Sequence, residues 1–303
     1  MRDEPSATLS VGRADPVAER MTTPADIPDS PPDDLRFRRK VRIGESIREL
    51  WRARELIRTL TERDLRARYK QAVLGFAWAI LPPIGLLLVF DVFFHHVGNV
   101  SSQGTPYELY AYLGLLPWTF FSSAMTVGGI SLLTSMTLLN KVYCPREVFP
   151  LAAVGTAAAD AVVSTGVLIV LFPINGFWPK ATSIWIPVLL AIEVAFTLGV
   201  VFIVSAGVVY LRDLRHLLPI ALQLGLFITP VGYSFDVIPR GLRPLYALAN
   251  PLGPVIDGYR RAILLGKSPD LGLTAIAAAS AGTLFLGGYL LFKRLETGIA
   301  DVA

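Results

Sequence analysis

The stretch Ile184–Tyr210, IWIPVLLAIEVAFTLGVVFIVSAGVVY, contains 27 residues and one charged side chain, Glu193. A helix of that length reaches about 40 Å, which exceeds the ~30 Å of hydrocarbon in a bilayer. Five further apolar runs occur along the chain, at Val73–Phe94, Leu109–Leu133, Leu151–Phe172, Leu217–Tyr233 and Leu273–Phe292. The sequence therefore predicts an all-α membrane protein with six transmembrane helices.

Composition and charge support the same class of protein. Of the 303 residues, 53% are hydrophobic and 17% are charged, which excludes an ordinary soluble domain. The single cysteine, Cys144, excludes an internal disulfide framework and a multi-cysteine metal cluster. The net charge of +4 indicates attraction to a membrane surface rather than to nucleic acid, because the arginine excess directly precedes the first apolar run.

The chain divides into three regions. Residues 1–42 contain six prolines and no apolar periodicity, which predicts a disordered cytoplasmic tail. Residues 43–72 alternate apolar and basic side chains at helical spacing, which is typical of an amphipathic helix in the headgroup plane. The alternative for this segment is a solvated helix packed on a soluble domain. Residues 73–303 hold the six apolar runs.

The distribution of Lys and Arg predicts that both termini face the cytoplasm. Basic residues are dense before the first run and recur after the second and fourth runs, whereas the loop after the first run has none. The exception is the basic segment between the fifth and sixth runs. It contains two short apolar pieces, Leu245–Leu252 and Val255–Leu265, separated by Asn250, Pro251 and other helix breakers. We expect two short re-entrant helices there.

No catalytic or metal-binding constellation occurs in the sequence. Gly266-Lys267-Ser268 looks like the end of a phosphate-binding loop, but Arg261 stands where that loop needs its first glycine. The chain is therefore expected to hold no catalytic residue, no metal and no cofactor of its own.

Three acidic residues, Asp91, Asp160 and Glu193, lie inside the apolar runs, where ionisable groups are costly and often functional. Asp91 lies near the outer rim and could simply snorkel. Asp160 and Glu193 could approach one another from adjacent antiparallel helices, either as a proton relay or as part of a hydrated interior.

Aromatic residues offer a second choice. Trp118, Phe120 and Phe121 lie more than ten residues into the second run, which is too deep for the aromatic belt at the membrane surface. They either pack against other helices or line a path. A path with aromatic walls would suit a sugar polymer.

Several short fragments, in this order and with this placement relative to the apolar runs, carry a resemblance to a known family. They are Arg63-Asp64-Leu65 with Tyr69, Gly75, Trp78 and Pro82; Gly114 with Trp118 and Phe120-Phe121; Lys141-Val142-Tyr143 followed by Pro145-Arg146-Glu147; Tyr210 with Arg212-Asp213; Thr229-Pro230; Asn250-Pro251 with Tyr259-Arg260; and Phe292-Lys293. From about Ile43 to Ala303 the sequence resembles the membrane permease subunit of ABC exporters with an ABC transmembrane type-2 domain. The long amino-terminal tail and Cys144 depart from the family pattern.

The resemblance implies export of a lipid-linked polysaccharide, such as O-antigen, teichoic acid, capsule or galactan, across the cytoplasmic (inner) membrane. In this family two permease subunits work with two ATPase subunits, so ATP and Mg²⁺ would be bound by the partner. The polysaccharide would be attached to a polyprenyl diphosphate. Galactan is the expected cargo.

The resemblance also implies roles for individual residues. The contact with the ATPase would involve Lys141, Tyr143, Pro145, Arg146 and Glu147, with Arg212 and Asp213 as a second candidate contact; an ordinary solvated loop is the alternative. The lipid diphosphate would meet Arg63, Arg66, Arg68, Tyr69 and Lys70, although general attraction to anionic lipid explains the same residues.

Channel-lining residues would be Trp78, Trp118, Phe120 and Phe121. An outer gate would contain Asn250, Pro251, Asp257, Tyr259 and Arg260, with Arg260 compensated by the polymer, by Asp257 or by water.

Two other functions are compatible with parts of the sequence. One is a drug or small-lipid exporter of the same fold. The other is a membrane-embedded transferase acting on a lipid-linked sugar, for which the basic helix offers Glu62 and Asp64 but no histidine.

Overall fold

The computed structural model describes residues 43–70, 75, 77–97, 104–136 and 144–302, and every regular element in these ranges is helical. The α-helices are α1 (Ile43–Arg52), α2 (Arg54–Tyr69), α3 (Ala77–Phe90), α4 (Tyr107–Gly128), α5 (Ser131–Thr134), α6 (Val148–Ile174), α7 (Ile186–Tyr210), α8 (Leu214–Ile228), α9 (Arg243–Ala249), α10 (Leu252–Arg260) and α11 (Leu271–Val302). Short π-helices cover Asp91–Val97 and Arg261–Leu265, and 3₁₀-helices cover Ala181–Trp185, Phe235–Val237 and Arg240–Leu242. The all-α prediction is confirmed for these ranges. The predicted tail, residues 1–42, lies outside the described residues.

Four helical segments are long and apolar enough to cross a membrane. They are Ala77–Phe94, Val148–Ile174, Ala181–Tyr210 and Leu271–Glu296. These segments correspond to the first, third, fourth and sixth predicted runs. The second predicted run corresponds to α4, which is more polar than these four segments. The fifth corresponds to α8, which is shorter.

Helix α4 lies at the centre of the molecule. Most of its residues are buried, and it packs against α3, α6, α7 and α10. It is 22 residues long, about 33 Å, but it carries Glu108, several tyrosines and Pro117. Because protein rather than lipid surrounds it, α4 tolerates this polarity.

Helix α8 is shorter than the sequence predicts. It ends at Ile228, so its 15 residues span about 22 Å, whereas the predicted run continued to Tyr233. The reason is Pro230, which disfavours helical backbone in the preceding residue. Thr229 accordingly has extended backbone, with φ −78° and ψ 136°.

The segment between α8 and α11 contains two short helices, α9 and α10, as the apolar pieces predict. They separate at Asn250, where the backbone leaves the helical region with φ −135° and ψ 85°. Gly266 ends the π-helix after α10 in a left-handed conformation, with φ 66°. Gly266 is therefore the carboxyl-terminal cap of this helix.

The predicted helix over residues 43–72 is divided into α1 and α2 at Ala53. Helix α2 packs along α6. The Thr61 hydroxyl lies 3.3 Å from the Ala152 carbonyl oxygen, and seven residues later Arg68 reaches Asp160. Since both residue numbers increase together, α2 runs parallel to α6 over about 12 Å. This alignment places the carboxyl end of α2 beside the middle of α6.

Candidate functional site

A cavity of about 360 Å³ lies where α2, α3, α4 and α6 meet, and we call it the interface cavity. Its lining combines one ion pair, aromatic side chains, hydroxyl groups and small or aliphatic side chains. The lining residues are Arg68, Tyr69, Trp78, Ala79, Pro82, Pro83, Leu86, Trp118, Thr119, Phe120, Ser122, Ser123, Thr126, Val127, Ala157, Asp160, Ala161 and Ser164. The structure thus brings together residues that the sequence assigned to two separate functions, headgroup binding and channel lining.

The ion pair of the interface cavity joins Arg68 to Asp160. The Tyr69 hydroxyl also donates to Asp160, with 2.6 Å between the oxygens. The Arg68 side chain is 36% exposed and the Asp160 side chain 14%, so the pair lies at the edge of the protein interior. Burial, followed by the neighbouring Asp160, raises the pKa of Tyr69 to about 12, which keeps this hydroxyl a neutral donor.

Close packing of α2 on α6 fixes the position of this ion pair. A Cβ at Gly155 of α6 would lie 2.9 Å from the Thr61 hydroxyl oxygen, so only glycine allows this approach. Leu60 is buried on the same face of α2, against Phe149 and Ala152 of α6. The ion pair is therefore one of several contacts that hold the two helices together.

The aromatic residues occupy two different environments. Three of the four residues predicted to line a channel, Trp78, Trp118 and Phe120, line the interface cavity. Phe121 does not line it: its ring stacks on Phe196 of α7 with 5.3 Å between ring centroids. For Phe121, packing is therefore the observed role.

Three of the four hydroxyl groups on the α4 wall are oriented by their own helix. Thr119, Ser122 and Thr126 each donate to a backbone carbonyl three or four residues earlier in α4. Ser164 on the opposite wall donates to the Ala79 carbonyl. Because their hydrogens are used, these oxygens are acceptors toward the cavity. This wall suits a ligand that carries hydroxyl donors.

The other basic residues predicted to meet a lipid diphosphate lie away from the interface cavity. Arg63 donates to Asp64 and lines a separate cavity of about 230 Å³. Arg66 is 77% exposed and lies 3.6 Å from Glu62, and Lys70 is also exposed. Of the predicted headgroup residues, the structure brings only Arg68 and Tyr69 to the interface cavity.

The predicted ATPase contact is described from Cys144 onward, since Lys141 and Tyr143 lie outside the described residues. Pro145 precedes α6 and is partly exposed. Glu147 is 1% exposed and forms an ion pair with Lys293 of α11, and the Arg146 guanidinium donates to the Glu296 carbonyl. The charges of Arg146 and Glu147 are therefore directed into the protein.

Sequence reasoning missed the partners of this segment. Lys293 pairs with both Glu147 and Glu296, at 2.9 Å from the latter, and the Tyr289 hydroxyl lies 3.4 Å from Glu147. The only sequence signal was a basic residue at the end of an apolar run, which also describes an ordinary interfacial lysine. Arg212 and Asp213, the second candidate contact, are exposed in the turn before α8.

Arg260 occupies the most buried charged site of the predicted outer gate. It is 1% exposed, and its guanidinium donates to the carbonyls of Tyr110, Pro230, Val231 and Tyr233. It also lies 3.8 Å from the centre of the Tyr110 ring. Tyr107 donates to the remaining carbonyl of this segment, that of Gly232. Backbone carbonyls thus compensate Arg260.

The sequence allows three compensating groups for Arg260, namely the polymer, Asp257 and water, and the hydrogen bond of Asp257 goes to a different arginine. The Asp257 carboxylate accepts a hydrogen bond from Arg261, with 2.6 Å between Oδ2 and Nε. Asp257 and Arg261 are four residues apart, so their side chains meet across one helical turn. The carbonyls after α8 are available to Arg260 because Pro230 has ended that helix and no further turn uses them.

Gly114 of α4 makes room for this arrangement. A Cβ there would lie 2.5 Å from the Arg260 Nη2 atom and would also meet the Val231 carbonyl. Two fragments that are far apart in sequence, Gly114 and Tyr259-Arg260, therefore belong to one structural unit together with Thr229-Pro230.

Asn250 connects the same unit to α9. Its amide donates to the Thr229 hydroxyl at 2.8 Å and to the Tyr246 hydroxyl at 3.0 Å. Pro251 is the amino-terminal cap of α10. Among the predicted gate residues, Asn250 and Arg260 thus hold the two helix breaks together.

The two embedded carboxylates on α6 and α7 have different partners. Asp160 meets Arg68 and Tyr69, whereas Glu193 accepts a hydrogen bond from Tyr259 at 2.9 Å. Asp91 begins the π-helix that follows α3. Neither Asp160 nor Glu193 is bonded to the other, so the structure does not join them in a relay.

Among the described residues, no group of His, Cys, Asp and Glu is arranged to hold a metal ion. The features of the site are instead one partly exposed ion pair, aromatic faces and hydroxyl acceptors. Such a set can bind a polar ligand.

Comparison with known proteins gives a consistent result. Residues 55–264 match the family described as ABC-2 type transporter. The chain is similar to the O-antigen export system permease protein RfbA of Myxococcus xanthus, with 32% identity over 252 residues, 82% of this chain and 96% of that protein. It is 27% identical over 249 residues to the RfbA protein of Klebsiella pneumoniae, covering 82% and 95% of the two chains. It is also 26% identical over 250 residues to the polysialic acid transport protein KpsM of Escherichia coli, covering 79% and 93%.

Proposed function

The chain belongs to the ABC-2 type transporter family, and from this premise we propose that it is the permease subunit of an ABC exporter for a lipid-linked polysaccharide. The energy comes from ATP and Mg²⁺ bound to a separate ATPase subunit. The protein works in the cytoplasmic (inner) membrane with both termini in the cytoplasm. Relatives named for O-antigen export and polysialic acid transport, each covered over more than nine tenths of its length, support a polysaccharide cargo.

The interface cavity is the observation that carries this proposal. An arginine at its edge suits a phosphate group, because the guanidinium offers several donors in a fixed plane. Its Trp and Phe faces and its hydroxyl acceptors suit sugar rings, which present apolar C–H faces and hydroxyl donors. A lipid-linked polysaccharide carries both chemical groups side by side.

Six membrane crossings follow if α4 and α8 join the four apolar spans. Helix α4 has the length for a crossing, about 33 Å, and is shielded by its neighbours. Helix α8 is about 22 Å long, and the short helices α9 and α10 follow it. We propose that α9 and α10 are re-entrant, since non-helical backbone at membrane depth requires protein partners such as Arg260.

The outer gate in this proposal is the unit built from Asn250, Pro251, Tyr259 and Arg260, with Asp257 held by Arg261. It closes the transport path at rest. The Asn250–Thr229 hydrogen bond and the carbonyl contacts of Arg260 support this role, because they fix two helix breaks against each other. Opening the path would require these contacts to change together.

The ATPase contact in this proposal is the segment from Lys141 to Glu147, with Arg212 and Asp213 on a neighbouring turn. Within it, Glu147 is an internal anchor, since its carboxylate is buried against Lys293. Arg146 holds the carboxyl end of α11. Movement of the docked segment would therefore reach α11 directly.

A second copy of the chain is part of the proposed complex. Helix α8 offers a surface for this contact, since none of its residues is buried and it presents an apolar stripe of Leu217, Ile220, Leu224 and Phe227. These residues follow one another at three- and four-residue spacing, so they lie on one face. Two ATPase subunits would then serve two permeases.

The lipid diphosphate in this proposal meets Arg68 and Tyr69. Arg63, Arg66 and Lys70 supply general attraction to anionic lipid, because they lie on the surface of α2 or beside an acidic neighbour. Galactan remains a specific cargo to be tested within the polysaccharide class.

A transport assay tests the function. Inside-out vesicles containing the chain and its ATPase are loaded with a radiolabelled polyprenyl-diphosphate-linked polysaccharide, galactan or O-antigen, on the outer face. We expect ATP-dependent uptake that disappears when the ATPase carries an inactivating substitution of its phosphate-loop lysine. ATP-dependent uptake of dyes but of no polysaccharide would instead support a drug exporter. Chemical turnover of the lipid-linked sugar by this chain alone would support a transferase.

A further inference from the structure

The ion pair at the interface cavity has a feature that helix anchoring does not explain. Among the described residues that line the cavity, Arg68 is the one basic side chain and Asp160 the one acidic side chain. The two side chains are in direct contact, so Asp160 neutralises the charge of Arg68. A site for a phosphate would therefore be occupied by an internal anion.

The contacts of Asp160 reproduce those a phosphate would make. One carboxylate oxygen meets an Arg68 nitrogen and the other accepts the Tyr69 hydroxyl at 2.6 Å. A phosphate offers oxygens to both donors and can also take a second guanidinium nitrogen, which makes its pairing with arginine bidentate. Phosphate is thus a better partner for Arg68 than the single carboxylate oxygen that it now has.

The remaining lining shows where a neutral part of the same ligand would lie. Of the four hydroxyl groups that α4 presents, three already donate their hydrogens to α4 carbonyls. Acceptor oxygens repel an anion and bind sugar hydroxyls. The phosphate therefore belongs at Arg68, and the first sugar belongs against Trp118 and the α4 wall.

We propose that Asp160 is a positioning residue that holds Arg68 and Tyr69 until a phosphate-bearing ligand displaces its carboxylate. This inference rests on the proposed function and adds a selection step to it. A ligand without a phosphate cannot compete for Arg68 and leaves the ion pair intact. The exchange of one anion for another thus selects glycosyl phosphates over neutral glycans and neutral lipids.

A purely structural role for Asp160 predicts something different. Leu60 and the close contact of Thr61 with Gly155 already fix α2 on α6. If Asp160 served only as a further anchor, its neutralisation would loosen the site and weaken binding of every ligand. If it competes with phosphate, neutralisation strengthens the binding of phosphate ligands alone.

The experiment measures binding of farnesyl diphosphate and of farnesol to the full chain in detergent micelles, followed by tryptophan fluorescence, because Trp78 and Trp118 line the cavity. In Asp160→Asn, which keeps an oxygen for Tyr69, we expect farnesyl diphosphate to bind about two- to fivefold more tightly, the range of a partly exposed ion pair. Farnesol binding should not change. In Arg68→Gln, diphosphate binding should weaken, and adding Asp160→Asn should then have no effect.

Glu62→Gln is the matched control, since Glu62 is an acidic residue of α2 that pairs with Arg58 and Arg66 and does not line the cavity. Equal tightening in Glu62→Gln would mean that general charge is responsible, and this would overturn the proposal. Unchanged or weaker diphosphate binding in Asp160→Asn would also overturn it. If Arg68→Gln does not fold, Arg68→Lys replaces it and should lose most of the gain, because lysine cannot form the bidentate contact.

The vesicle assay separates this inference from the function on which it rests. Polysaccharide export by the complex, together with unchanged diphosphate affinity in Asp160→Asn, refutes the exchange and leaves the exporter intact. The expected gain in affinity without any export of polysaccharide refutes the exporter and shows a phosphate site of another purpose.

Discussion

Arg68 and Arg260 are both held by internal partners, but the partners differ in kind. Arg68 lies at the edge of a cavity and faces a carboxylate on another helix. Arg260 is fully buried and faces four backbone carbonyls, three of them in the break after α8. A carboxylate can be replaced by another anion, whereas carbonyls cannot leave. The comparison separates a cation available for binding from one that is part of the architecture.

The first and largest test removes the architectural cation. Arg260→Met should lower the free energy of unfolding by about 3 to 5 kcal/mol, because four buried carbonyls lose their donor together. Thermal unfolding in detergent, measured as the apparent Tm, reports the loss. Arg240→Met is the control, since Arg240 is an exposed arginine in the same segment between α8 and α11. Similar Tm values for the two variants would contradict the assigned role of Arg260.

The second test separates the effect of burying a cation from the effect of its type of partner. Lys293 is buried as Arg260 is, but it is paired with carboxylates as Arg68 is. Lys293→Met should cost about 3 kcal/mol, because it leaves Glu147 charged and buried. The double variant Lys293→Met with Glu147→Leu should recover most of this stability in chemical or thermal unfolding. Absence of recovery would show that the ion pair does not account for the cost.

This second test also bears on coupling to the ATPase. Glu147 and Arg146 connect the segment before α6 to α11. If the double variant recovers stability but shows reduced ATP-dependent uptake in the vesicle assay, the ion pair serves motion rather than folding. Normal uptake would show that transport does not require the ion pair.

Parts of this arrangement could be predicted from the sequence, and others could not. The helix breaks are predictable, because Pro230 and Asn250-Pro251 act on the backbone next to them. The two short helices follow from Asn250-Pro251, and Pro230 predicts an end of α8 at Ile228. The family fragments could also be identified, since they are local groups of residues in a fixed order.

The partners of the charged residues could not be predicted in the same way. Arg68 meets a carboxylate 92 positions away, and Arg260 meets the Tyr110 carbonyl 150 positions away. Carbonyls leave no signal in a sequence because every residue has one. Sequence reasoning therefore offers only the polymer, the nearby Asp257 or water as partners of Arg260, and helical geometry gives Asp257 to Arg261 at a spacing of four.

The third test sharpens the comparison at the site of Arg260. Gly114→Ala should lower the free energy of unfolding by about 1 to 3 kcal/mol, because its Cβ would overlap Arg260 Nη2 and the Val231 carbonyl. Gly166→Ala is the control, since a Cβ at Gly166 of α6 would meet no atom within 4 Å. In the Arg260→Met background the cost of Gly114→Ala should fall, because the guanidinium is gone. Additive costs would show that the two residues act independently.

The smallest expected effect on stability belongs to the exchangeable cation itself. Arg68→Gln should lower the free energy of unfolding by only about 0.5 kcal/mol, as expected for a partly exposed ion pair, while ATP-dependent uptake of the lipid-linked polysaccharide falls at least tenfold. Arg66→Gln, on the exposed face of the same helix, should leave both unfolding and uptake near wild type at physiological salt. A large loss of Tm in Arg68→Gln would place Arg68 with Arg260 as an architectural residue. Equal transport losses in the two variants would reduce the role of Arg68 to general attraction for the membrane.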